Sequence, residues 1–224
     1  MVAASKEGKP YHHGDLRAAL LTAAEAELIE KGVDSFSLRG TAKRAGVSHA
    51  APAHHFRDAT ALLDAVAAVG FSRLADTMRG EQALAGPGKS EQFVAAGVGY
   101  VRFAIDNPEM LELMFGRSRT DGDHPDLARH AEAAFSVLVN AVGHIRGRHV
   151  FKSEEGWRDV AACWSMVHGY AQLVISGRMG FVATLEFDEQ RGVIEDLMRR
   201  ALPDSAFRMR DDSAVPTQSG RPSF

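Results

Sequence analysis

Apolar residues recur every three to four positions along most of this chain, a period that suits helices and leaves little room for sheet. Between Asp15 and Lys31 the repeat is Leu16, Leu20, Ala23, Ala24 and Leu28, and Gly32 ends it as a helix C-terminal glycine does. Ser37 can cap a short helix through about Ala45, which Gly46 stops. Ser48 is placed to cap a second short helix over about 49–55. Asp58 or Thr60 opens a longer helix, with Leu62, Val66 and Val69 on one face, running to about Met78. GEQALAGPGKS (80–90) reads as a connection. Ser90 begins an apolar helix through about Asp106, and Pro108 suits the first turn of a short helix over 107–115. GRSRTDGDHPD (116–126) is expected to be a mobile surface loop. Two long helical patterns follow, over about 125–147 and 154–178, and Asp188 caps a last helix ending before Pro203. The only strand candidates are QLVISG (172–177) and FVATLEF (181–187), short apolar runs that a buried helix would also show. The expected fold class is all-α with about nine helices. Residues 1–10 and 204–224 lack apolar periodicity and are expected to be disordered.

A chain of 224 residues with 45% apolar content can bury a core without disulfides or metals. Its one cysteine, Cys163, cannot form an internal disulfide, which fits a reduced cytoplasmic setting. The N-terminus has no apolar signal core, and no uninterrupted apolar run reaches the ~20 residues of a membrane span. The net charge of −3 is unevenly spread: residues 1–60 hold eight Lys/Arg against seven Asp/Glu, for +1, and the remainder sums to −4. Within 38–57, Arg39, Lys43, Arg44 and Arg57 occur with no acid among them. A basic island on an acidic protein fits a polyanionic partner, although a solvated helix face has the same composition.

The island coincides with short helix, tight turn, short helix. Gly46 permits the left-handed backbone of such a turn; Ala42 and Ala45 allow close packing, and Val47 and Phe56 can anchor the unit in a core. In a helix-turn-helix the first helix crosses the phosphate backbone and the start of the second enters the DNA major groove. Lysine and arginine there displace counterions, an effect an aspartate would undo. The rival reading of AGVSHAAPAHHFRD (45–58) is a metal site. His54 and His55 are adjacent, and His49 lies five and six residues from them, so no pair has the i, i+3 or i, i+4 spacing that chelates on one helix face. His144 and His149, five apart, fail likewise. No serine elbow occurs and Cys163 has no evident activating partner, so nucleophilic catalysis is not expected. Pro52 would fall at the fourth position of a helix capped at Ser48, which makes that helix short and stiff.

The run AALLTAAEAELIEKGVDSFSLRGTAKRAGVSHAAPAHHFRDATALLDAV (18–66) resembles the DNA-binding domain of tetracycline-repressor-like (TetR-type) transcriptional regulators. YHHGDL, YVRFAIDNPEMLELMF (100–115) and CWSMVHGYAQLVISG (163–177) are similar to the branch whose C-terminal domain carries a Trp…His-Gly motif, here Trp164, His168 and Gly169. The resemblance covers about residues 11–200. It implies a disordered arm at 1–10, a helix-turn-helix domain at 11–58, an effector-binding and dimerisation domain at 59–203 and a disordered tail at 204–224. The implied partner is double-stranded operator DNA. Ser37 would cap the second helix and touch a phosphate, and Arg39 would reach a base edge. Ser48 would open the reading helix, His49, Ala50, Ala51 and His54 would face the groove, and His55 would lie at the backbone. Lys43, Arg44 and Arg57 would add positive charge. Ala53 and Ala59 depart from the family pattern: many relatives have a phosphate-touching tyrosine at the first and a lysine at the second. Arg57, Lys43, Arg44 and the arm's Lys6 and Lys9 are the candidates to compensate.

The resemblance further implies a small-molecule effector, with no cofactor, no metal and no enzymatic activity. Phe103, Met110, Met114, Phe115, Phe135, Trp164 and His168 are the candidate effector residues, although Met and aromatic residues at helical spacing are more often plain core. The last two long helices, about 154–178 and 188–202, would pair with their copies in a homodimer, with Gly169 and Gly177 allowing close approach. Two alternatives stay open: a small-molecule-binding or enzymatic helical protein using a pocket at His168, and a ligand-independent DNA-binding protein with a filled core.

Overall fold

A computed structural model describes residues 16–116 and 125–202 of the chain. Among these residues there are nine α-helices, two short 3-10 helices and no strand. The helices are α1 (Leu16–Lys31), α2 (Leu38–Arg44), α3 (Ala59–Leu84), α4 (Lys89–Asp106), α5 (Pro108–Phe115), α6 (Pro125–Arg146), α7 (Glu154–Ile175), α8 (Gly180–Ala183) and α9 (Phe187–Ala201). The 3-10 helices are Ala51–His54 and Arg148–Lys152. Neither strand candidate is a strand: QLVISG lies mainly in α7, and FVATLEF runs from α8 through a short turn into the start of α9. The N-terminal arm, most of the 116–126 segment and the C-terminal tail lie outside the described residues, so the expectations made for them have no structural counterpart here.

Boundaries differ from the sequence reading where side chains compete for helix ends. Helix α3 continues past Met78 to Leu84, so the connection to α4 shrinks to residues 85–88. Gly80 lies inside the helix, where a single glycine weakens but does not end it. Helix α4 starts at Lys89 rather than Ser90, with the Glu91 carboxylate accepting from the Gly88 N–H at 3.1 Å. The cap of α9 is Glu186, whose N–H donates to Glu189 at 3.1 Å, and not Asp188. Asp58 does cap α3: its carboxylate accepts from the Ala61 N–H at 2.8 Å.

The chain forms two compact units. Of the described residues, the first comprises 16–70 together with 109–116 and 125–128. Its core holds Leu20, Ala24 and Leu28 of α1, Ala42 of α2, Phe56, and Leu62 and Val66 of α3. Helix α5 adds Met110 and Met114, whose sulfurs lie where a Cβ on Gly70 would sit, within 2.8 Å of it. The second unit comprises, of the described residues, 71–108 and 129–202. Helix α4 is its centre, flanked by α7 and α9. A Cβ on Gly99 would fall 2.6 Å from the Met78 Cα, so only glycine lets α4 approach the later turns of α3 this closely. Phe93, Phe103, Val98, Val101, Ile194 and Met198 fill the interior. Each such side chain contributes about 1.5–3 kcal/mol by leaving water.

One polar cluster interrupts that apolar packing. Glu81 is 5% exposed and accepts from Arg102 at 2.9 Å and Arg191 at 2.8 Å. Both guanidinium groups also stand against the Phe187 ring, at 5.2 and 5.9 Å from its centroid. Burial alone would raise the Glu81 pKa, but the two arginine hydrogen bonds win and hold it below the ordinary carboxylate value.

Candidate nucleic-acid interface

Helix α2 begins as its sequence requires. Ser37 takes an extended backbone and its hydroxyl accepts from the Gly40 N–H at 3.0 Å. Seven residues are too few to hold a helix in water, so α2 depends on burying Thr41 and Ala42 against α1. The chain then turns at Gly46, whose φ of 68° is the left-handed conformation that an L side chain resists.

The element after the turn is not the helix expected from Ser48. Residues 48–50 form a turn, and only Ala51–His54 are helical, in a 3-10 winding with Ala50 at the cap position. Pro52 is the physical reason. It lacks the N–H that an α-helix starting at 49 would need, and its ring would press on the carbonyl of Ser48. Short i→i+3 bonds replace the α ladder: Ala51 donates to Ser48 at 3.0 Å, Ala53 to Ala50 at 3.2 Å and His55 to Pro52 at 2.9 Å. Pro52 itself is buried as the second residue of this turn, and Phe56 anchors it below, with the Arg17 guanidinium 5.4 Å from its ring centroid.

Around the turn, Ser37, Arg39, Lys43, Ser48, His49, Ala50, His54, His55 and Arg57 are exposed and Ala51 is half-buried. Arg39 and Lys43 form no ion pair among the described residues. Ala53, at one departure from the family pattern, is exposed; Ala59, at the other, is the first residue of α3. Two of the expected cations are engaged within the protein. Arg57 pairs with the adjacent Asp58 at 2.8 Å while keeping its side chain 77% exposed. Arg44 is turned toward α1, where Nε meets Glu27 at 2.6 Å and Nη2 meets Glu30. No group of three or more potential metal-binding side chains gathers among the described residues.

Two family descriptions match the chain: "Bacterial regulatory proteins, tetR family" over residues 20–66, and "Tetracyclin repressor-like, C-terminal domain" over 93–199. A solved protein of unknown function from Rhodococcus sp. RHA1 is 35% identical, covers 87% of this chain and 99% of its own, and superposes with a TM-score of 0.72. The chain belongs to the tetracycline-repressor-like family of transcriptional regulators. Its all-helical fold agrees with that of a TetR family transcription regulator from Marinobacter aquaeolei VT8, 19% identical over 84% of this chain and 95% of that one, with a TM-score of 0.62. The TetR family regulator PfmR of Thermus thermophilus is 17% identical over 81% and 97%, with a TM-score of 0.60. No curated protein matched. Among the described residues no helix is long and apolar enough to cross a membrane.

In this tetracycline-repressor-like chain the seven candidate effector residues divide between the units. Met110, Met114 and Phe115 belong to the first, and Phe103, Phe135, Trp164 and His168 to the second. In the second unit Trp164 meets Phe135 with ring centroids 5.6 Å apart. His168 Nδ1 lies 2.7 Å from the Tyr100 hydroxyl, and Trp164 hydrogen-bonds the same phenol. Desolvation lowers the His168 pKa, which favours the neutral imidazole, and raises that of Tyr100. Tyr100 was not among the sequence candidates, because its partner lies 68 positions away and no local pattern joins them. A cleft of about 440 Å³ opens elsewhere in the unit, with Leu84, Val94 and Val98 beside Glu81, Arg191 and Arg199. Cys163 is fully buried and its thiol is pushed up to about 12 by burial, which removes it as a nucleophile.

Proposed function

We propose that this regulator is a homodimeric repressor that reads a pseudo-palindromic DNA operator and leaves it when a small apolar effector binds the second unit. One observation carries the DNA-reading assignment: Arg39, Lys43, His49, His54 and His55 are exposed around a single Gly46 turn, with no acidic side chain in the segment 38–57. Such a surface gains affinity from counterion release and specificity from side chains at base edges. Arg39 suits guanine O6 and N7, and the small Ala50 and Ala51 suit a thymine methyl. Because the reading element is one short turn, a single copy offers few base contacts. Pairing two copies through α7 and α9 doubles them and explains the expected two-fold operator.

The effector must prefer the released state by a few kcal/mol to empty most operators. The paired rings of Phe135 and Trp164 support an apolar ligand. One observation favours a second reading, a regulator with a filled core and no effector. Tyr100 already engages His168, so that polar group is satisfied from within. The test selects operators from a random DNA pool with the purified protein and follows binding by fluorescence anisotropy. Selective binding of a two-fold sequence is expected; no selection at low salt ends the DNA-reading assignment. An apolar ligand library that neither stabilises the protein nor releases the DNA decides for the filled core.

A further inference from the structure

Within the first unit, Arg44 sits in the basic segment and yet points away from the exposed turn. Its side chain is 29% exposed and bridges the Glu27 carboxylate, which is 7% exposed, and the more open Glu30. Lys31 and Arg44 together hold Glu30 down to about 2, so that carboxylate is charged wherever the protein works. The bridge runs from the last residue of α2 to the last two turns of α1, across 14 and 17 positions of sequence.

Gly40 shapes the other side of the same notch. A Cβ there would collide with the Glu27 carboxyl group, so glycine in the middle of α2 makes the space that the carboxylate occupies. Its N–H is meanwhile the donor to the Ser37 cap. Ser37, Gly40 and Arg44 stand at the start, the middle and the end of the seven-residue helix. A cap meets the first and a buried carboxylate fixes the other two. A helix too short to persist alone is thereby given one rotation and one position against α1.

We infer that Arg44 is a positioning residue of the reading head rather than a DNA contact: it locks α2 to α1 through Glu27, and so sets where Arg39, Lys43 and the Gly46 turn are held. The inference rests on the DNA-reading assignment and separates the basic residues into two kinds. Lys43 neutralises phosphate and contributes to the salt slope. Arg44 is neutralised within the protein and contributes only by keeping the head in its binding-competent form.

The experiment measures operator affinity against salt concentration for the full chain and for Lys43→Met, Arg44→Met and Glu27→Met/Arg44→Met. Lys43→Met is expected to lower the log–log salt slope by about 0.9, the value of one lost phosphate contact. Arg44→Met is expected to weaken binding about tenfold at every salt concentration with the slope unchanged, because only the competent fraction falls. Amide exchange in α2 should accelerate in the same variant. Glu27→Met/Arg44→Met removes the buried carboxylate together with its partner and is expected to recover most of the affinity, with the slope still that of the parent. A slope reduced by about 0.9 in Arg44→Met, or no recovery in the double variant while its α2 exchange is normal, overturns the inference. Failure of the unaltered chain to bind any operator is a different result, and strikes the DNA-reading assignment itself.

Discussion

A histidine whose Nδ1 accepts from a buried phenol cannot take a proton there without giving up that hydrogen bond. Burial disfavours the imidazolium, and a Tyr100 hydroxyl that donates to Nδ1 while accepting from Trp164 acts in the same direction. The folded pKa of His168 is therefore below its ordinary value of 6.5. The sign of the linkage follows: between the two pKa values the unfolded chain binds more protons, so stability is full above about 6.5 and falls as pH drops below it. His168→Asn puts a non-titrating carbonyl oxygen near the same acceptor position. We expect urea unfolding of this variant to lose the part of the decline below about pH 6.5 that belongs to His168. A decline as steep as in the parent would mean that this histidine is not the group responsible. The same hydrogen bonds bear on the proposed effector, since a ligand placed against Trp164 would gain a polar contact only where it outcompetes Tyr100.

At the scale of elements, the Glu81 cluster joins the later turns of α3 to α4 and α9 by charge where the surrounding packing is apolar. Removing one arginine leaves a buried carboxylate half satisfied, and the remaining Arg102 is itself half exposed. Arg191→Met should cost about 1–3 kcal/mol in urea unfolding, with the helix content unchanged. Because the Glu81 pKa is held below its ordinary 4.5, its stabilisation is present above that value and is lost as pH falls through the folded one. The gap between parent and Arg191→Met should accordingly narrow in acid; a constant gap would assign the cost to packing. Neither this cluster nor the Arg44 bridge can be read along the chain. Arg44 looks like one more cation beside Lys43 until α1 brings Glu27 next to it, and Glu81 meets Arg191 across 110 positions. What was legible is what short-range physics decides: the apolar period of α1, the Ser37 cap, the left-handed glycines at 32 and 46, and Pro108 opening α5. Pro52 shows the boundary between the two. The residue signalled a short element, but not that its missing N–H and its ring would turn the whole element into a 3-10 turn, with the ring itself buried. Similarly, the apolar run QLVISG gave no period long enough to separate strand from helix, and the continuous ladder of α7 decided it.

For the molecule as a whole, the proposed dimer makes a demand that a single chain does not. Along α7, Ala162, Ser165, Gln172, Leu173 and Ser176 are exposed and Gly169 is half-buried among them, a row of mostly small residues at helical spacing. Phe181, just beyond the helix, is 75% exposed and Leu173 43%, an unusual arrangement for residues that gain by leaving water. Among the described residues, a Cβ on Gly169 would meet nothing within 4 Å. Enlarging this residue should therefore leave the folded monomer intact; replacing a helical glycine should even favour α7 slightly. If a second α7 packs against the row, the same enlargement drives the two subunits apart. Gly169→Leu and Leu173→Glu are expected to keep the helical circular dichroism of the parent while sedimenting as monomers at micromolar concentration. Operator affinity should then fall steeply, because two half-sites can no longer be held together by one molecule. Variants that remain dimeric by sedimentation would move the interface elsewhere.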